Sequence, residues 1–183
     1  MRIADADILI LPGLGNSSEG HWQVRWAEKM STAAIVEQAD WDDPDPEDWT
    51  DTIVKAAELA GRPVVLVAHS LACIAVVQAA PRFPKDKVRG ALLVSPPDIE
   101  GNRDVPEEAR AFGLVPRDPL PFPSLLVISD NDPFCGLECA AGYAAAWGSD
   151  FHQAGNCGHI NTHSGHGPWP EGLLMFTRLM QRL

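Results

Sequence analysis

Short apolar runs recur along the chain, separated by stretches with helical spacing and by turns rich in Gly and Pro. The runs Asp7–Leu11 (DILIL), Ala34–Gln38, Pro63–Ala68 (PVVLVA), Arg89–Ser95 (RGALLVS), Ser124–Ser129 (SLLVIS) and Asp150–Ala154 predict strands. The central ones are unbroken Val/Ile/Leu runs with no polar alternation, which marks strands covered on both faces, as in a parallel sheet. Helices are predicted between them. Gly20–Met30 sets Trp22, Trp26 and Met30 four residues apart on one face. Pro46–Ala60 opens with Glu47, Asp48 and Asp51, where carboxylates oppose the helix dipole favourably, and Gly61 follows it. Leu71–Ala80 is small and apolar throughout, so it should lie close against the sheet. Leu137–Trp147 and Pro170–Arg182 complete the set.

Strand and helix alternate along most of the chain. That alternation predicts an α/β fold, a three-layer α/β/α sandwich of about six mostly parallel strands joined by right-handed crossovers. At roughly 150 residues per domain, the 183 residues form a single domain, 1–183, with no room for a large cap. Residues Pro96–Pro123 are the least regular stretch, and they are expected to form a mobile flap or small lid over a site.

Composition narrows the function. The net charge of −11 argues against nucleic acid and anionic membrane surfaces, both of which need clustered Lys and Arg. No apolar run approaches the roughly 18 residues that span a bilayer. Met1–Asp7 carries no basic region followed by an apolar stretch, so the expected location is cytoplasmic. Cys73, Cys135, Cys139 and Cys157 match no zinc or C-x-x-C spacing and are expected to be reduced thiols.

The sharpest chemical signal is Val64-Val-Leu-Val-Ala-His-Ser-Leu-Ala-Cys73: a buried strand, a tight turn carrying Ser70, and a small-residue helix. This is the setting of a nucleophile elbow, usually G-x-S-x-G, with both glycines replaced by alanine, Ala68 and Ala72. The flanking positions must be small because strand, helix and backbone crowd there. Taken alone, a serine between strand and helix serves equally as an N-cap.

Partners downstream supply what the elbow lacks. A serine hydroxyl attacks only if a histidine takes its proton, and the imidazolium needs a carboxylate. Asp130-Asn-Asp132-Pro133-Phe134 follows one predicted strand and Gly155-Asn-Cys-Gly158-His159 follows the next. The order Ser70, Asp132, His159 is that of α/β-hydrolases. Asp132, fixed by Pro133, is favoured over Asp130, whose nearness to the strand suits an Asx turn. His159, after the pliant Gly158, is favoured over His152, which is expected to pack within a strand. His163 and His166 could join His159 around a metal, but no Asp, Glu or H-E-x-x-H spacing supports this, and no metal or cofactor is expected.

The loop Leu11-Pro12-Gly13-Leu14-Gly15-Asn16-Ser17-Ser18 follows the first strand, where hydrolases build half of an oxyanion hole. The backbone N–H groups of Leu14 and Leu71 are the candidate donors. The loop lacks both phosphate-loop patterns. Ser17, Ser18 and His21 line the pocket or cap the helix beginning near Gly20, and capping is preferred for the serines. His69 is read as a satisfied buried ring that could border the pocket. Trp22, Trp41, Trp49 and Phe134 are possible walls, with core packing as the default.

LPGLGNSSEGHWQ (11–23), Gln38-x-x-Trp41-x-x-Pro44-x-x-x-x-Trp49, VAHSLAC (67–73), SDNDPF (129–134), GNCGH (155–159) and SGHGPWPEG (164–172) together resemble the small YdeN-like α/β-hydrolases related to retinoblastoma-binding protein 9. The resemblance implies a Ser70–Asp132–His159 triad and a serine hydrolase acting on small esters, amides or thioesters. That family commonly has Gly where this chain has Ala72, and the L-x-C-x-E motif of its retinoblastoma-binding member is missing. The alternative reading is a protein-binding module on an inactive hydrolase scaffold.

Overall fold

A computed structural model describes residues 1–183. Six parallel strands form one sheet: β1 (Asp7–Leu11), β2 (Ala33–Ile35), β3 (Val64–His69), β4 (Val88–Val94), β5 (Ser124–Ile128) and β6 (Asp150–Gln153), in the order β2-β1-β3-β4-β5-β6. The helices are α1 (Trp22–Lys29), α2 (Pro46–Leu59), α3 (Leu71–Ala79), α4 (Glu107–Arg110), α5 (Leu137–Trp147) and α6 (Pro170–Arg182).

The unbroken apolar strands divide their side chains between two cores. In β3, Val64, Leu66 and Ala68 face Trp49, Ile53 and Ala57 of α2, all of α3 except Gln78, and Tyr143 and Trp147 of α5. Val65 and Val67 face the other layer, with Trp22 and Trp26 of α1 and Met175, Phe176 and Leu179 of α6. This is the period-two alternation of a strand buried on both sides. The order in which strands are added reverses at β1, which pairs with β2 on one side and β3 on the other. The loops leaving β1 and β3 therefore meet at a topological switch point, where open α/β sheets bind ligands.

Some expectations need correction. The second strand is only Ala33–Ile35, three residues long, although Val36 still donates its N–H to the Ile10 carbonyl at 2.9 Å. His152 does not pack: β6 is the other edge and all four of its residues are exposed. The segment 96–123 is not a bare flap. It holds α4 and buries Ile99, Val105, Ala109, Phe112, Val115 and Phe122. Polar side chains pin it as well. The Arg110 guanidinium donates to the carbonyls of Asn102 and Val105, the Gln78 amide to that of Phe112, and the Trp147 indole to that of Pro116. Trp22 and Trp49 are core, each at most 1% exposed.

Candidate active site

Ser70 is reached directly from β3 and is followed at once by α3. Its backbone sits at φ 55°, ψ −129°, far from any conformation that L-residues favour. The turn closes over fully buried Ala68 and Ala72, so alanine satisfies the steric demand at both flanking positions. The approach of β1's loop is tighter. A Cβ on Gly13 would lie 2.8 Å from Ser70 Cβ and 2.9 Å from the His69 carbonyl oxygen. Gly13→Ala is therefore expected to push Ser70 out of line. We expect a loss of about 1–3 kcal/mol of stability and at least tenfold in kcat, measured by denaturant unfolding and ester turnover.

The side chains of Ser70, His159 and Asp132 form one hydrogen-bonded line. Ser70 Oγ lies 2.8 Å from His159 Nε2, and His159 Nδ1 lies 3.0 and 2.9 Å from the two carboxylate oxygens of Asp132. A carboxylate only accepts, so Nδ1 carries the ring proton and Nε2 is left to accept from the Ser70 hydroxyl. Asp132 Oδ1 also accepts from the Phe134 N–H at 3.0 Å, which fixes the carboxylate's orientation. Asp130 is exposed and reaches only the Gln153 amide, at 3.5 Å.

Two residues that sequence reasoning passed over tie the loop of Asp132 to the loop of His159. Ser129 Oγ accepts from the Cys157 N–H at 2.8 Å, and Asn131 Oδ1 accepts from the Gly158 N–H at 2.7 Å. The Ser129 hydroxyl in turn lies 2.8 Å from Asn131 Oδ1. Gly158 has φ +57°, and a Cβ there would meet Ser164 Cβ at 2.7 Å. The only sequence signal for this staple is a Ser and an Asn beside a strand end, a common turn composition.

Behind the line stand two further imidazoles, His69 and His21. His69 lies 4.9 Å from His159 and 5.0 Å from His21, ring centre to ring centre. His69 Nε2 donates to the His159 carbonyl at 2.9 Å and so helps to seat the loop of His159. Burial, reinforced by the charges of His159 and His166, holds the His21 pKa down to about 4, and burial drives that of His69 well below its usual range. Both rings are neutral in the folded protein near pH 7. The unfolded chain binds these protons below about pH 6.5, so the stabilisation is complete above that pH and fades as the pH falls towards 4. Unfolding free energy is expected to drop by on the order of 2 kcal/mol from His21 alone between pH 7 and about pH 4.5. His21→Gln should flatten that dependence in denaturant titrations.

Ser17 and Ser18 do not cap α1. The cap is His21, whose Nδ1 accepts from the Gln23 N–H, while Ser17 Oγ donates to Gln23 Oε1 and Ser18 Oγ pairs with Thr162 Oγ1 at 3.2 Å. Both serines, His21, His69 and His163 line a cavity of about 330 Å³ that opens onto Ser70 and His159. Phe134 stands edge-on to His159 at 4.7 Å and lines a second cavity, about 190 Å³, on the other side of Ser70. His166 Nδ1 meets Ser164 Oγ at 3.2 Å, away from Ser70. Leu14 borders both cavities, and no acceptor within the fold takes its N–H; Leu71 opens α3, where helix N–H groups have no intrahelical partner. The largest cavity, about 470 Å³, lies at the opposite end of the sheet beside Lys85, Arg89 and Leu183 and touches none of these residues. No helix is long and apolar enough to cross a membrane.

Comparison with known proteins bears on the family and the fold. The family model described as "Serine hydrolase" matches residues 8–178. A crystal structure of a YdeN-like hydrolase from Pectobacterium atrosepticum is 26% identical, with a TM-score of 0.86, over 98% of this chain and 93% of that one. The ydeN gene product of B. subtilis is 18% identical, with a TM-score of 0.78, over 96% and 99% of the two chains. The RedJ thioesterase of the prodiginine pathway in Streptomyces coelicolor is 14% identical, with a TM-score of 0.66, over 100% and 92%. At these identities the last two relate by fold alone, that of the α/β-hydrolases. No curated protein matches the sequence.

Proposed function

The chain belongs to the serine hydrolase family, and from that premise we propose that it cleaves small carboxylic esters, or related amides and thioesters, through an acyl-enzyme on Ser70. The observation that carries this reading is the unbroken Ser70–His159–Asp132 line, with each contact between 2.8 and 3.0 Å. In acylation, Ser70 Oγ bonds to the carbonyl carbon as its proton passes to His159 Nε2. The leaving group then departs with that proton. In deacylation, water gives a proton to the same nitrogen and attacks the acyl carbon, and the carbon–Oγ bond breaks as the proton returns to Ser70. Asp132 holds the ring in the required tautomer and stabilises the imidazolium. The N–H groups of Leu14 and Leu71 serve the oxyanion, a contribution typically of about 3–4 kcal/mol per donor.

A scaffold that had become purely a binding module would have no need to keep a strained serine in line with a base and a buried acid. The test is a fluorophosphonate probe. The folded protein is expected to label, and Ser70→Ala is expected to abolish the label. Folded wild-type protein that does not label would overturn the reading.

A further inference from the structure

The two cavities meeting at Ser70 differ in chemistry, and both include Leu14, Ser70, His159 and Asn161. The smaller is walled by Val105, Pro106 and Ala109 from the pinned 96–123 segment, together with Pro97, Leu71 and Phe134. Apart from the reacting residues and Asn161, its lining is apolar. The larger is walled by Asn16, Ser17, Ser18, Asn161, Thr162 and His163, with His21 and His69 behind, and its lining contains no Lys, Arg, Asp or Glu. Burial keeps His21 and His69 neutral. The larger cavity is thus polar and lined by no permanently charged side chain, a setting that solvates hydroxyls and offers no fixed counter-ion to a phosphate, carboxylate or ammonium group.

The reaction decides which part of a substrate enters which cavity. The deacylating water must reach the acyl carbon where the leaving group stood, with His159 Nε2 beside it. Water is held by polar groups and excluded from apolar pockets. The polar cavity is therefore the leaving-group side, which leaves the apolar one for the acyl chain. At about 30 Å³ per water-sized group, 190 Å³ holds roughly six such groups. We propose, building on the serine-hydrolase reading above, that the substrates are esters of short acyl chains, up to about six carbons, with uncharged polyhydroxy alcohols.

The experiment is a kcat/KM matrix combined with fluorophosphonate labelling of the same preparations. Across glyceryl mono-esters, each added methylene is expected to raise kcat/KM about three- to fourfold up to about the hexanoate. The decanoate should fall at least tenfold below that peak. At constant acyl group, glyceryl monobutyrate should exceed ethyl butyrate by at least tenfold, and butyrylcholine and glycerophosphate butyrate should both fall below glyceryl monobutyrate. Ala109→Leu, which narrows the apolar cavity, should move the optimum to shorter chains, and Val105→Ala should move it to longer ones. Should one variant fail to fold, the other still tests the wall. Labelled, active protein whose rate rises past the decanoate, or that prefers the ethyl or a charged ester, overturns the substrate class and leaves the nucleophile standing. Folded protein that neither labels nor turns over any ester overturns both.

Discussion

Ser70→Ala is expected to lower ester hydrolysis by about 10⁵- to 10⁶-fold, close to what loss of a whole triad costs, because its members act as a unit. The residual rate should come from substrate binding and oxyanion stabilisation alone. Only one atom leaves a half-buried position whose side-chain partner is His159, so unfolding free energy should change by less than about 1 kcal/mol. The backbone provides an internal control. At φ 55°, ψ −129° any side chain is strained, and glycine is not. Ser70→Gly should therefore unfold no more easily than Ser70→Ala, and later by about 1 kcal/mol, although both are inactive. A Ser70→Ala protein that retains a tenth of the wild-type rate would remove Ser70 from the chemistry.

The second large effect falls on the acid. Asp132→Asn is expected to reduce kcat by about 10⁴-fold near neutral pH, with KM little changed. The hydrogen bonds explain the size of the loss. Asp132 Oδ1 accepts from the Phe134 N–H at 3.0 Å, so an asparagine would keep its carbonyl oxygen there and turn its amide towards His159 Nδ1. An amide donating to Nδ1 forces the ring proton onto Nε2, the atom that must accept from Ser70. Asp130→Asn, at an exposed side chain with one weak contact, should change kcat by less than about threefold. The reverse pattern would move the acid to Asp130. Purified variants assayed side by side on one short-chain ester distinguish the two.

The inner strands and the chain order of the three side chains that the structure aligns were legible because both rest on local rules. An unbroken run such as VVLVAH can be satisfied only between two covering layers, and a serine leaving it into a small-residue helix has few conformations open to it. What was not legible depends on neighbours distant in sequence. His152 looks like an inward strand residue, but β6 has a strand on only one side and lies exposed. Ser17 and Ser18 have the composition of caps, yet the chain reaches α1 with His21 at the cap position and leaves the serines facing the cavity. The 96–123 segment reads as irregular because its apolar residues follow no simple period. They are anchored instead by Gln78 and Trp147 from outside the segment and by Arg110 within it. The Ser129–Asn131 staple had no signal beyond ordinary turn residues, although it joins the loop of Asp132 to the loop of His159.

The central claim is a covalent acyl-enzyme on Ser70, and rapid acid quench followed by intact-protein mass spectrometry tests it most directly. During steady-state turnover of 4-nitrophenyl butyrate, the protein should carry one butyryl group, located by peptide mapping on the fragment that contains Ser70. The adduct should be missing in Ser70→Ala. Turnover by folded protein with Ser70 unmodified, or with the acyl group mapped to a cysteine or another serine, would contradict the account.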